Sequence, residues 1–192
     1  ESIYGAAYAV NDMANGTVTP QFFRNFVVYD ALGTSHEMTV GYLKTGINTW
    51  ATEVYPAVPA EVATGATALA SGNVIFNGDA TLDADNALTT LGTYNATTSQ
   101  LASTLNITWT NGANTSSIAL DWGTNNLNDG LTQFASGYNV AYINQNGSAV
   151  GLLSGVTIDD QGLIAASFTN GDSQALYKLP LSTFVSSPKG NQ

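Results

Sequence analysis

A period of two governs this chain. Leu105, Ile107 and Trp109 alternate with Asn106, Thr108 and Thr110, and beyond "NGANTS" Ile118, Leu120 and Trp122 alternate with Ala119 and Asp121. Successive side chains of an extended backbone point to opposite faces, so each run buries one face and wets the other. The Asn/Gly cluster between the runs tolerates positive φ, and together they read as a hairpin with one buried side. Met38, Val40 and Tyr42 make a second stripe, which "KTGIN" turns into Trp50, Thr52 and Val54. Towards the far end "VTIDDQGLIAASFTNGDSQALYKLPL" reads as three short strands punctuated by "DDQG" and "NGDS". Turn signals about every 8–12 residues fit a sandwich or barrel better than a βαβ fold. The three tryptophans alternate with polar residues on their strands and are expected in the core. Helix signal is thin: "PAEVATGATALA" (59–70) admits a turn or two, with Gly65 against more. The stretch from Tyr55 to about Asn86 is the least patterned, and long loops or a variable insertion are expected there.

Charge narrows the functions open to such a fold. Only 9% of the 192 residues are charged, and Arg24, Lys44, Lys178 and Lys189 are the four bases against a net charge of −10. Nucleic-acid binding needs clustered cations to displace counterions from phosphates, so no nucleic-acid partner is expected. Anionic membrane surfaces are disfavoured by the same argument, and nothing reaches 18 consecutive apolar residues, so no membrane association is expected. Without cysteine there is neither a disulfide framework nor a thiolate metal site. The chain starts at Glu1 with no basic, apolar signal sequence, which suggests a piece of something longer.

Three acidic clusters could carry chemistry. The only histidine, His36, is followed by Glu37 and preceded at six residues by Asp30. In a strand–turn–strand reading "DALG" is the bend, Asp30 caps backbone amides, and Gly33 takes the permissive conformation. His36 and Glu37 then point to opposite faces of the returning strand and cannot converge on a substrate. "NGDATLDADN" offers Asp79, Asp83 and Asp85, but an EF-hand loop needs glycine at its sixth position and glutamate at its twelfth. A register from Asp79 puts Ala84 at the sixth position, and one from Asp83 finds no glutamate, so turn-lining acids are expected over a calcium site. Asp159 and Asp160 are adjacent on a strand end and diverge, whereas a glycosidase needs its carboxyls facing each other. With Gln161 and Gly162 they read as a hairpin turn. The N-x-S/T matches at Asn15, Asn95, Asn106, Asn114 and Asn146 arise readily in an Asn/Thr-rich chain. Catalytic, cofactor-binding and metal-ligating residues are therefore expected to be none, and no cofactor is expected.

The same stretches carry a resemblance. "VVYDALGTSHEMTVGYLKTGINTWATEVY" (27–55) resembles the flagellar hook protein family, in which a V-Y-D-x-x-G-x-x-H turn precedes a strand, a K-T turn and an aromatic strand. A second block, running from "GYNVAYINQ" (137–145) to "LSTF" (181–184), is similar to that family's later pattern at Gly151, Leu153, Val156, Ile158, Asp159, Gly162, Asn170, Gly171, Leu176, Leu181 and Phe184. "MANGTVTPQF" (13–22) resembles the approach to the first block. The two blocks stand in the family's order, with the least patterned region between them.

The resemblance implies a structural subunit of the bacterial flagellar hook and no enzyme. The expected fold class is mostly β, with two β-rich, barrel- or sandwich-like domains. An inner hook-type domain would comprise 1–23 and 136–192, and an outer domain, 24–135, would be inserted into it. Such subunits polymerise into a curved, flexible tube that couples motor to filament. The expected partners are copies of itself and the other flagellar axial, cap and junction proteins. The location implied is extracellular, after passage through the flagellar export apparatus without a cleaved signal. The family's terminal helices have no counterpart in this pattern, so a middle fragment that stays monomeric by itself is expected. The alternative class is an extracellular carbohydrate-binding or adhesin-type β domain, which would need exposed Trp and Tyr to stack on sugar rings.

Overall fold

The computed structural model describes residues 1–134, 139–140 and 143–180. The motif positions Leu181 and Phe184 lie outside the described residues. Three antiparallel sheets account for the strands among those residues. The first joins β1 (Phe22–Tyr29), β2 (Ser35–Gly46), β3 (Thr49–Pro56) and β4 (Ala70–Ile75) in chain order. The second joins β5 (Thr93–Asn95), β6 (Gln100–Ile107) and β7 (Ser116–Thr124), and the third joins β8 (Leu153–Ile158), β9 (Leu163–Phe168) and β10 (Ser173–Lys178) with β9 in the centre. Residues Glu1–Gly147 form one compact unit and Ser148–Gln192 a second.

The alternation in the sequence becomes the core of the first unit. On β6, Leu101, Ser103, Leu105 and Ile107 are buried while Ala102, Thr104 and Asn106 are exposed, and Leu105 pairs with Ile118 across to β7. Val40 pairs with Val54 on β2 and β3, so the Met38–Val40–Tyr42 stripe faces the same way as Trp50 and Val54. These two inward faces merge into one apolar cluster. Each fully buried Leu or Val there stabilises the fold by roughly 1.5–3 kcal/mol relative to exposure. Trp50, Trp109 and Trp122 belong to it at 8%, 4% and 7% exposure. Each indole N–H finds an acceptor, on Gln133 (2.6 Å), Ser116 (2.8 Å) and Ser103 (2.7 Å) respectively, as a buried indole requires.

The least patterned stretch is more ordered than its composition suggests. Pro59–Glu61 is a single 3-10 turn, and β4, "ASGNVI", adds to the sheet edge with Val54 opposite Ala70 and Thr49 opposite Ile75. A glycine, a serine and an asparagine hide a strand from propensity reasoning; pairing with β3 supplies what propensity lacks.

The outer face of β2 and β3, carrying Leu43 and Ala51, is covered by Met13 and Val18, with Tyr4, Tyr8 and Tyr55 packed around them. Gly41 permits the approach: a Cβ there would stand 3.1 Å from the Pro20 Cβ and 3.2 Å from the Met13 sulfur. The N-terminal segment thus packs within the Glu1–Gly147 unit. The reason is that β3 is buried on both faces, and this segment provides the second cover.

Candidate functional site

His36 sits near the start of β2, 4% exposed. Its Nε2 lies 3.1 Å from Asp30 Oδ2 and its Nδ1 lies 2.9 Å from Glu61 Oε2. The ring stacks on Trp109 with centroids 4.0 Å apart and planes 17° from parallel. Asp30 is itself buried and takes three further donors: the Asn111 side-chain amide (2.6 Å) and the backbone N–H groups of Leu32 (2.8 Å) and Thr34 (2.9 Å). Burial by itself would raise the Asp30 pKa. The hydrogen bonds from Asn111, His36, Thr34 and Leu32 outweigh it and hold the carboxyl well below the ordinary carboxylate range. For His36, burial opposes the charged form, but the hydrogen bonds and charges of Glu61 and Asp30 prevail and raise its pKa above the usual value.

The expectation that His36 and Glu37 diverge is met. Glu37 is exposed and its Oε1 accepts from the Asn25 side chain at 3.1 Å. What adjacency in sequence could not reveal is that Glu61, 25 residues on, and Asn111, 81 residues beyond Asp30, complete the cluster. Both ring nitrogens of His36 are taken up by carboxylates from two different segments, so the arrangement clamps those segments together.

The Asp30 turn is a form that recurs in this chain. Gly33 N–H donates to Asp30 O (3.0 Å), Asp30 N–H donates to Thr34 O (3.1 Å), and Gly33 has φ +74°. At the second "D-x-x-G", Gly162 N–H donates to Asp159 O (2.9 Å), Asp159 N–H donates to Leu163 O (3.0 Å), and Gly162 has φ +75°. The Asp159 carboxylate takes the amides of Gln161 and Leu163, as that of Asp30 takes those of Leu32 and Thr34. "NGDA" repeats the backbone bonds at Asn77 with Ala80 at φ +77°, and "FTNG" repeats them at Phe168 with Gly171 at φ +90°. In each, a residue of positive φ closes a three-residue loop, a common form of hairpin connection. Asp30 and Asp159 therefore pin hairpins.

The acids of "NGDATLDADN" lie in loops. Asp79 Oδ1 accepts from the Thr81 hydroxyl (2.6 Å) and amide (3.1 Å), which lower its pKa, the hydroxyl contributing most. Asp83 accepts from the Asn86 side chain at 2.7 Å, and Asp85 is exposed. Among the described residues no group of three or more His, Asp or Glu is placed to hold a metal ion.

Sequence reasoning missed Glu53. It is fully buried on β3, and its oxygens accept from Tyr8 Oη (2.8 Å), Asn11 N (2.8 Å) and Ala14 N (2.9 Å). Burial and then donation to this carboxylate push the Tyr8 phenol above its usual pKa. A glutamate amid the alternating pattern of "TWATEVY" signals solvent. Only the segment folded over it makes it interior.

Comparisons with known proteins place these features in context. Residues 9–148 match the family model described as the flagellar basal body protein FlaE D2 domain. The flagellar hook protein FlgE of Salmonella typhimurium is 30% identical over 170 residues, covering 88% of this chain and 35% of that protein. FlgE of Helicobacter pylori is 29% identical over 163 residues, 82% of this chain and 21% of that protein. The chain thus spans about a third or less of the length of these curated relatives. Among solved structures, a 32 kDa fragment of FlgE from Caulobacter crescentus superposes with a TM-score of 0.57 at 21% identity, over 75% of this chain and 53% of that one. That likeness is one of fold.

Proposed function

The chain belongs to the flagellar basal body protein FlaE D2 domain family, and on that footing we propose that it forms part of a flagellar hook subunit, a structural protein and no enzyme. The observation that carries the reading is the use made of the V-Y-D-x-x-G-x-x-H block. Its aspartate, glycine and histidine are consumed in holding a hairpin and its neighbours together, in a chain whose match to the family runs over most of its length. The work of such a protein is mechanical.

On this proposal the full-length protein polymerises with copies of itself into a curved tube outside the cell, meeting the other axial, cap and junction proteins at its ends. It would leave the cell by the flagellar export apparatus without a cleaved signal. A surface of small uncharged polar side chains suits contacts that exchange partners and water as a joint bends, where large apolar anchors would lock it. The same reading assigns 1–23 and 136–192 to an inner domain and 24–135, inserted into it, to an outer one. Residues 4–18 pack against β2 and β3 of that outer stretch. A carbohydrate-binding or adhesin role gains no support, since the three indoles that would stack on sugars are buried.

The test is electron microscopy of the full-length parent after purification and assembly. Curved tubes built of this subunit are the expected result. A protein that stays unassembled under all such conditions while binding glycans would overturn the reading.

A further inference from the structure

We infer that His36 is a latch bonded to two carboxylates, held as an imidazolium between Asp30 and Glu61, which keeps the corner formed by Pro59–Glu61 and the segment after β6 closed until rising pH takes its proton. With both carboxylates ionised, the geometry selects the cation. A neutral imidazole has one N–H and one bare nitrogen, so whichever tautomer formed would turn a lone pair towards a carboxylate at 2.9 or 3.1 Å. Only the doubly protonated ring donates to both, and charge-assisted bonds of that kind are the stronger class.

The latch gathers separate pieces of chain. Asp30 comes from the β1–β2 turn, Glu61 from the 3-10 turn, and Trp109 and Asn111 from the segment beyond β6. The titratable groups facing the imidazole are Asp30 and Glu61; Trp109 and Asn111 carry no charge, and β1 presents Val28 opposite. Two backbone bonds join the corner's two segments, Ala63 N–H to Thr108 O (2.8 Å) and Thr110 N–H to Glu61 O (3.0 Å), and together they make the isolated bridge between Val62 and Trp109. The Glu61 side chain is 38% exposed, so the latch meets solvent on that side.

The sign follows from the direction of the shift. A histidine whose pKa is raised on folding contributes its full stabilisation below about 6.5, its ordinary value, and loses it as pH rises through the raised one. Deprotonation leaves Asp30 and Glu61 facing a neutral ring that can serve only one of them.

Proton and nitrogen NMR of His36 in the intact chain, with amide exchange followed over the same pH series, tests the inference. His36 is expected to titrate above 6.5, with both ring nitrogens protonated below that midpoint. Above it, Ala63 and Thr110 exchange should accelerate by roughly ten- to a hundred-fold beyond the intrinsic base-catalysed rise, the loss expected for one hydrogen bond to a charged group. Glu61→Gln, at a partly exposed position, should lower the midpoint and bring the acceleration to lower pH. A His36 midpoint at or below 6.5, or a single protonated ring nitrogen at pH 6, overturns the inference. So does an exchange rate at Ala63 and Thr110 that ignores the titration. None of these outcomes bears on whether the parent protein forms tubes.

Discussion

Replacing Glu53 should release the N-terminal segment from the sheet without unfolding the rest. Glu53→Ala removes an acceptor that serves Tyr8 Oη, Asn11 N and Ala14 N at 2.8, 2.8 and 2.9 Å. The tyrosine hydroxyl is partly exposed and can turn to water, whereas the Ala14 amide is buried and becomes an orphan. Each buried donor left unpaired costs about 1–3 kcal/mol, and a bond to a charged acceptor is worth about 1.5–3 kcal/mol. The two amides together then imply roughly 3–5 kcal/mol, since such terms do not add fully. That sum has a ceiling, because once it exceeds the docking energy of residues 4–18 the segment peels away and the loss stops growing. Glu53→Gln keeps the shape but has one acceptor oxygen, so it should serve Tyr8 and Asn11 while presenting an NH2 to the Ala14 N–H. Its loss should fall between wild type and Ala. Amide exchange at Asn11 and Ala14, read beside a denaturant midpoint, is the assay. Protection unchanged at both amides in Glu53→Ala, or a Gln variant no better than Ala, would refute the reasoning.

Other outcomes follow from the turns and the surface. Gly33→Val and Gly162→Val should each cost roughly 1–3 kcal/mol in unfolding free energy, because both glycines hold positive φ; at Gly162 an added Cβ also comes within 2.9 Å of the Leu179 carbonyl. Ala80→Gly, at φ +77° in the same kind of turn, should be neutral to stabilising by up to about 1 kcal/mol; a clear loss in the denaturant midpoint would contradict the shared turn geometry. In sedimentation the chain by itself should run as a monomer, its net charge of −10 adding repulsion at low salt, and a stable closed oligomer would count against the hook reading. Stability should also fall above about pH 10, the ordinary tyrosine range, since burial and Glu53 raise the pKa of both Tyr8 and Tyr55 on folding; a Tyr8→Phe variant should make that alkaline fall shallower, with Tyr55 keeping the remainder.

Features that depend on near neighbours along the chain were legible without the fold. Period-two alternation specified β6 and β7 and put Trp50, Trp109 and Trp122 inside, because a pleated strand has only two faces and one must be dry. The "D-x-x-G" spacing specified two turns down to the glycine conformation, because an aspartate carboxylate reaches only the amides that follow it. The resemblance reached the family through those same turns. Tertiary structure alone decided the rest. β4 is a strand because β3 had an open edge, and its own residues argue weakly for it. Glu53 is interior because residues 4–18 fold over the second face of β3, which alternation marks as wet. His36 became a buried ion-paired residue only when Glu61 and Asn111 arrived from distant chain positions. A charge's environment is set by everything within a few ångströms, and sequence lists only the two neighbours along the chain.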